Sequence, residues 1–145
     1  MNVECLDLNP PTLRRAPRAA LRVLLAEDDD EMRRLVADAL RLDGHEVIEA
    51  RDGRELVARM GPGPDGARSY DLVVSDLLMP GATGITVLSR LAWDASSPQI
   101  VVMTAFGDED LHAWARAIGA VATFDKPFEI DDLRTVLLNL PPRVR

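Results

Sequence analysis

The sequence predicts an α/β protein: a doubly wound sheet of five parallel strands with helices on both faces. Two features predict it. Five short apolar runs alternate with five stretches of helical periodicity along the chain. Four of those runs also end in, or lead directly to, polar residues of a kind that a parallel sheet gathers at one edge: Glu27-Asp28, Asp76, Thr104 and Lys126.

Met1 to about Ala20 has no clear periodicity, contains Pro10-Pro11 and Pro17, and is expected to be a mobile leader (residues 1–20). Its Arg14, Arg15 and Arg18 would suit a basic arm, but the leader is the plainer reading. A single domain is expected over residues 21–141, with a short tail at 142–145. Val23-Leu24-Leu25-Ala26 is the first strand, followed by the acidic run Glu27-Asp28-Asp29-Asp30. Met32, Leu35, Val36, Ala39 and Leu40 then recur on one helical face, with Asp29 or Asp30 able to cap the start and Gly44 the end. Val47-Ile48 sits in the second strand. Asp52-Gly53-Arg54-Glu55 has capping-box spacing and opens a helix through Leu56, Val57 and Met60. The glycine- and proline-rich residues 61–66 form a loop.

Leu72-Val73-Val74-Ser75-Asp76 is the third strand, broken after Met79 by Pro80-Gly81. A helix carrying Ile85, Leu88, Leu91 and Ala92 follows, then the fourth strand, Gln99 to Thr104. Leu111, Trp114, Ala115 and Ile118 mark the fourth helix, which Gly119 closes. Ala122-Thr123-Phe124 is a short fifth strand. Ile130, Leu133, Val136, Leu137 and Leu140 give the last helix, stopped by Pro141-Pro142.

Composition narrows the function classes. The chain has 145 residues, 47% hydrophobic, with mean hydropathy near zero, which suits one folded domain rather than disorder. No apolar run reaches the roughly 20 residues needed to cross a bilayer, so membrane insertion is not expected. A net charge of −7 argues against direct nucleic-acid binding. The lone Cys5 can form no internal disulfide, and the N-terminus has no secretory h-region, so a cytoplasmic location is expected.

A cluster of Glu27, Asp28 and Asp76 with one lysine, Lys126, is electrostatically unstable unless a cation joins it. Oxygen ligands with no Cys or His cluster suit a hard divalent ion, Mg²⁺ above all. Such an ion keeps waters and uses one or two carboxylates, which leaves an acid free to act as nucleophile. Lys126 would supply a point charge for an anion and Thr104 a hydroxyl donor.

With these residues assembled, the sequence resembles the receiver domain of bacterial two-component response regulators. The resemblance is carried by Leu24-Leu25-Ala26-Glu27-Asp28-Asp29, Ser75-Asp76-Leu77-Leu78-Met79-Pro80-Gly81, Val102-Met103-Thr104-Ala105 and Asp125-Lys126-Pro127-Phe128, and it covers residues 21–140. It implies a flavodoxin-like fold, as in chemotaxis regulators, with strand order 2-1-3-4-5. Asp76 would be the phosphoacceptor, served by a histidine kinase or a histidine phosphotransfer protein. Glu27, Asp28, Asp76 and the backbone carbonyl of Leu78 would hold Mg²⁺, Thr104 and Lys126 would bind phosphoryl oxygens, and the Lys126-Pro127 bond would be cis. Such a domain catalyses only its own phosphorylation and dephosphorylation, and signals to a downstream protein that the sequence does not identify. Only Pro141 to Arg145 follow the last helix, so a stand-alone receiver, or the receiver portion of a longer protein, is expected.

Three departures from the family pattern matter. Glu27 stands where the family usually has Asp, which is expected to alter cation affinity rather than abolish it. Leu78 and Phe106, flanking the phosphoryl entrance, are apolar and offer no group to orient water, which predicts a slowly hydrolysing phospho-form. Thr123 occupies the position of the family's switch aromatic. The adjacent Phe124 should face the other side of the sheet, so a substitute is sought at Phe106 or Trp114. Thr123 keeps alive an alternative, a non-switching interaction module, for which partner binding would be the same with and without an acyl-phosphate donor. A Mg²⁺-dependent aspartyl phosphohydrolase is a second alternative. It would need an acid two residues after the nucleophile, where this chain has Leu78.

His45 and His112 have no metal-spaced companion and are read as surface histidines, and Asp108-Glu109-Asp110 as a helix-start cluster. Leu138, off the main face of the last helix, is a candidate homodimer or partner contact.

Overall fold

In the computed structural model of this chain, residues 20–60, 69–79, 88, 97–105 and 109–140 are described. Their order is β1 (Arg22–Ala26), α1 (Asp30–Leu42), β2 (Glu46–Ala50), α2 (Gly53–Met60), β3 (Leu72–Asp76), β4 (Gln99–Thr104), α3 (Glu109–Ala117), β5 (Ala122–Asp125) and α4 (Ile130–Leu138). Leu88 is helical and buried, where the sequence predicts the helix between β3 and β4. The rest of that helix, the leader up to residue 19, the loop at 61–66, Pro80-Gly81, Phe106, Asp108 and Pro141 to Arg145 lie outside the described residues.

The five strands form one sheet in the order β2-β1-β3-β4-β5, every pair parallel, as the sequence predicts. After β2 pairs on one side of β1, the chain returns to place β3 on the other side. That reversal creates a crevice between the carboxyl ends of β1 and β3.

Strand alternation divides the core into two layers. Leu24, Ala26, Val73, Ile100 and Val102 face α2 and α3 through Leu56, Met60 and Ala115, with Leu88 in the same layer. Val23, Leu25, Val74, Val101 and Met103 face α1 and α4 through Val36, Leu40, Leu133 and Leu137. Each of these fully buried leucines contributes about 1.5–3 kcal/mol of hydrophobic stabilisation. A fork from Arg134 on α4 to both carboxylate oxygens of Asp43, at 2.8 and 2.7 Å, joins α4 to the end of α1.

The structure corrects three local expectations. The buried stripe of α1 is Arg33, Val36, Ala37 and Leu40, whereas Leu35 is 57% exposed. The stripe has the expected i, i+3, i+4, i+7 spacing but begins at an arginine, because polar acceptors below α1 satisfy that side chain. At the start of α2, the Glu55 N–H donates to Asp52 Oδ1 at 2.8 Å as in a capping box. The return bond comes from the Arg51 N–H to Glu55 Oε1, one residue earlier than the motif prescribes, because Arg51 also grips that carboxylate through its guanidinium. Neither histidine is a simple surface residue. His45 is half-buried and accepts from the Leu21 N–H at 3.1 Å, and His112 lies 2.9 Å from Asp125. Among the described residues, no helix is long and apolar enough to cross a membrane.

Candidate functional site

The crevice between β1 and β3 receives its side chains from strand ends. Beyond β1, the Glu27 N–H still pairs with the Ala50 carbonyl of β2 at 3.1 Å, so the acidic run starts on ordered backbone. Asp29 then caps α1, accepting from the Met32 N–H at 3.0 Å, and its own N–H donates to Glu27 Oε2 at 3.0 Å. That bond folds the Glu27 carboxylate back across the crevice. Asp28 projects between these two anchored residues and is exposed.

Asp76 closes β3 opposite Met103 of β4 and is buried. Its carboxylate is held at both oxygens: the Leu78 N–H donates to Oδ1 at 3.0 Å, and Lys126 Nζ donates to Oδ2 at 2.7 Å. Leu77 donates to the Met103 carbonyl at 3.1 Å, which carries the chain across the sheet edge before the turn. The Leu78 side chain is 46% exposed at the rim. Thr104 is buried at the end of β4, one position beyond the residue opposite Asp76. Its carbonyl accepts from the Lys126 N–H at 2.8 Å, so the threonine and the lysine are tied through backbone. The Lys126-Pro127 peptide is cis.

Ligand oxygens of Glu27, Asp28 and Asp76 lie within 4.8 Å of one another. The electrostatics follow from burial. Desolvation raises the Glu27 carboxyl above its ordinary value, and Lys126 and the Asp29 N–H only partly offset that. For Lys126, burial favours the neutral amine, but hydrogen bonding to Asp76 and Glu27 outweighs it and the pKa is raised. Lys126 Nζ is also 2.5 Å from Glu27 Oε1, so the single ammonium is shared between two buried carboxylates. One ammonium cannot neutralise three carboxylates. Hard oxygen donors in excess of the one ammonium, with one acid open to solvent, fit a small divalent cation such as Mg²⁺.

The structure therefore brings together Glu27, Asp28, Asp76 and Lys126 and sets Thr104 and Leu78 beside them, while Phe106 lies outside the described residues. Thr123 and Phe124 alternate on β5. Phe124 packs in the α1/α4 layer, 5.1 Å from the Phe128 ring, so its aromatic group is committed to the face opposite Thr123. Trp114 packs against the other layer. Sequence reasoning missed Arg33, whose guanidinium donates to the Glu27 carbonyl at 3.0 Å. An arginine within an amphipathic stripe carries no signal that distinguishes it from a solvated one.

Comparison with known proteins gives a consistent result. The family model described as the response regulator receiver domain matches residues 23–138. The transcriptional regulatory protein PdtaR of Mycobacterium tuberculosis is 42% identical over 113 residues, which cover 77% of this chain and 52% of that protein. The chain thus spans about half the length of that relative. Sporulation initiation phosphotransferase F of Bacillus subtilis is 27% identical over 124 residues, covering 83% of this chain and 94% of the relative. Among solved structures, the chemotaxis response regulator CheY4 of Vibrio cholerae superposes with a TM-score of 0.69 at 26% identity, covering 83% of this chain and 98% of that one.

Proposed function

Because this chain belongs to the response regulator receiver domain family, we propose that it is a phosphorylation switch in which Asp76 accepts a phosphoryl group from a phosphohistidine. The donor would be a histidine kinase or a histidine phosphotransfer protein, and the output a contact with a downstream protein in the cytoplasm. No direct nucleic-acid contact and no membrane insertion are part of the proposal. The observation that carries it is the convergence on Asp76: a lysine ammonium 2.7 Å from one oxygen, a backbone N–H on the other, and two further acids close by.

In the transfer, an Asp76 oxygen forms a bond to phosphorus as the bond from phosphorus to the donor imidazole nitrogen breaks. The Leu78 N–H orients the nucleophile. Lys126 and the Thr104 hydroxyl would receive the phosphoryl oxygens as the carboxylate of Asp76 gives up its charge. Glu27, Asp28, Asp76 and the Leu78 carbonyl would hold Mg²⁺, which supplies neutralisation of the phosphoryl charge when bound. The deciding experiment is intact-mass detection of phosphorylation at Asp76 by a small acyl phosphate.

Two further expectations follow. The side chain at the rim, Leu78, has no polar atom to orient water toward the phosphoaspartate. Leu78→Asn should therefore speed hydrolysis by roughly tenfold or more, because a positioned hydrogen-bonding group lowers the barrier to water attack. Decay of phosphorylated protein measured with Mg²⁺ present checks this, and equal decay rates would refute it.

The second concerns pH. A proton and a cation compete for Glu27, and burial makes its carboxyl hold the proton more tightly than an ordinary carboxyl does. Mg²⁺ affinity should be full where Glu27 is ionised and fall as pH drops through that raised value, so the loss begins at a higher pH than an ordinary glutamate would give. Calorimetric titrations between about pH 8 and about pH 5 read the effect. Glu27→Gln should flatten this dependence, and an unchanged profile in that variant would exclude Glu27 as its source.

A further inference from the structure

Among the described residues, Arg33 is the one basic side chain that is buried, at 6% exposure. Its guanidinium is a three-way fork. Nη1 donates to the Glu27 carbonyl at 3.0 Å, Nε to Glu49 Oε1 on β2 at 3.1 Å, and Nη2 to Asp30 Oδ1 at 2.7 Å. The Glu27 carbonyl belongs to the peptide that joins Glu27 to Asp28, and it stands just past the last paired residue of β1. The peptide before it is held by the Glu27 N–H on Ala50, and the next N–H but one, that of Asp29, is bonded to Glu27 Oε2. Arg33 supplies the remaining restraint, and it does so from inside the protein.

We propose that Arg33 is a positioning residue for the cation site: it fixes the plane of the Glu27–Asp28 peptide so that two successive carboxylates serve one ion. Successive residues on an extended strand point to opposite faces, so adjacent acids share a site only where the backbone turns and is held in the turn. A carbonyl without a partner at that point would leave the turn free to rotate, and with it the Asp28 side chain. A lysine could not substitute, because a single ammonium lacks the planar fork that reaches three acceptors in different directions. The role rests on the Mg²⁺ reading given above.

Removing Arg33 leaves its acidic partners with other support. Glu49 keeps Arg41 at 3.0 Å, and Asp30 is exposed to water. Arg33→Met, which retains the length of the aliphatic stem, deprives chiefly the Glu27 carbonyl. Calorimetric Mg²⁺ titration of the full chain is the test, with wild type, Arg33→Met, Arg33→Lys and Glu49→Gln compared. Arg33→Met is expected to weaken Mg²⁺ binding about 10- to 100-fold, as loss of an outer support typically does. Its phosphorylation rate at saturating Mg²⁺ should stay close to that of the wild type. Arg33→Lys should be weakened as well, and it serves if the methionine variant does not fold. Glu49→Gln takes the charge from an anchor of α1 but keeps the carbonyl bond, so its Mg²⁺ affinity should stay within about twofold of wild type. Wild-type Mg²⁺ affinity in folded Arg33 variants overturns the role, and so does an equal loss in Glu49→Gln, which would indicate general loosening of α1. Failure of the wild type to bind Mg²⁺ overturns the underlying site reading and this role together.

Discussion

Asp76→Asn is expected to abolish covalent phosphorylation, whereas the wild-type chain treated with a small acyl phosphate and Mg²⁺ gains one phosphoryl group in intact mass. The substitution keeps the shape of the side chain and an oxygen for the Leu78 N–H. It removes the negative charge that makes the group nucleophilic and that Lys126 neutralises at 2.7 Å. A neutral amide attacks phosphorus poorly, so the rate should fall at least about a thousandfold, which is ~4 kcal/mol of barrier. Folding should survive, because Asp76→Asn relieves a crowded set of acids while one hydrogen bond to the side chain persists. A phosphoryl group on Asp76→Asn would move the acceptor elsewhere, and none on the wild type would remove the proposed function.

Leu24→Ala should give a large loss of stability. Leu24 is fully buried on β1, which has a strand on either side and a packed layer beneath. Emptying that position removes hydrophobic contacts and leaves a cavity that a strand held on both sides cannot close, at a cost of about 3 kcal/mol. Against a typical total of about 5–15 kcal/mol for a single domain, this is a substantial fraction. The midpoint of urea unfolding reads it directly. Leu42→Ala provides the contrast: Leu42 is 85% exposed, and its truncation should change stability by less than about 0.5 kcal/mol. Equal midpoints for the two variants would mean that Leu24 is not part of the close-packed core. Since β1 delivers Glu27 and Asp28, partial loosening at Leu24 should also weaken cation binding in the surviving folded protein.

The strands were legible because the chemistry that forms them is local. Leu72 to Asp76 and Gln99 to Thr104 are apolar runs ended by turn signals, and the observed strands have those limits. The side to which Phe124 turns was legible for the same reason, since alternation along a strand needs no knowledge of its neighbours. Helix faces were less secure. The periodicity of α1 was right, but its rotation was not: Leu35 reads as core and lies in solvent, while Arg33, absent from the predicted face, is buried. Hydrophobicity ranks an arginine outward, and acceptors around it, two of them outside α1, reverse the ranking. Those acceptors sit on Glu27, Asp30 and Glu49, on three different elements or connections. The partner of His45 shows the same effect, because its ring accepts from Leu21, 24 residues away.

Sequence by itself determined the alternation of strands and helices, the identity of the acids and bases at the strand ends, and, through the family resemblance, the order of the sheet. Tertiary structure decided what those residues do to one another. Lys126 and Asp76 are 50 positions apart, and no spacing rule sets their separation of 2.7 Å. It arises because β3, β4 and β5 lie side by side in parallel register, and because the Lys126 N–H is bonded to the Thr104 carbonyl. Burial at that edge then raises the Glu27 carboxyl, an effect of lost hydration that exists only once the surrounding chain has excluded water.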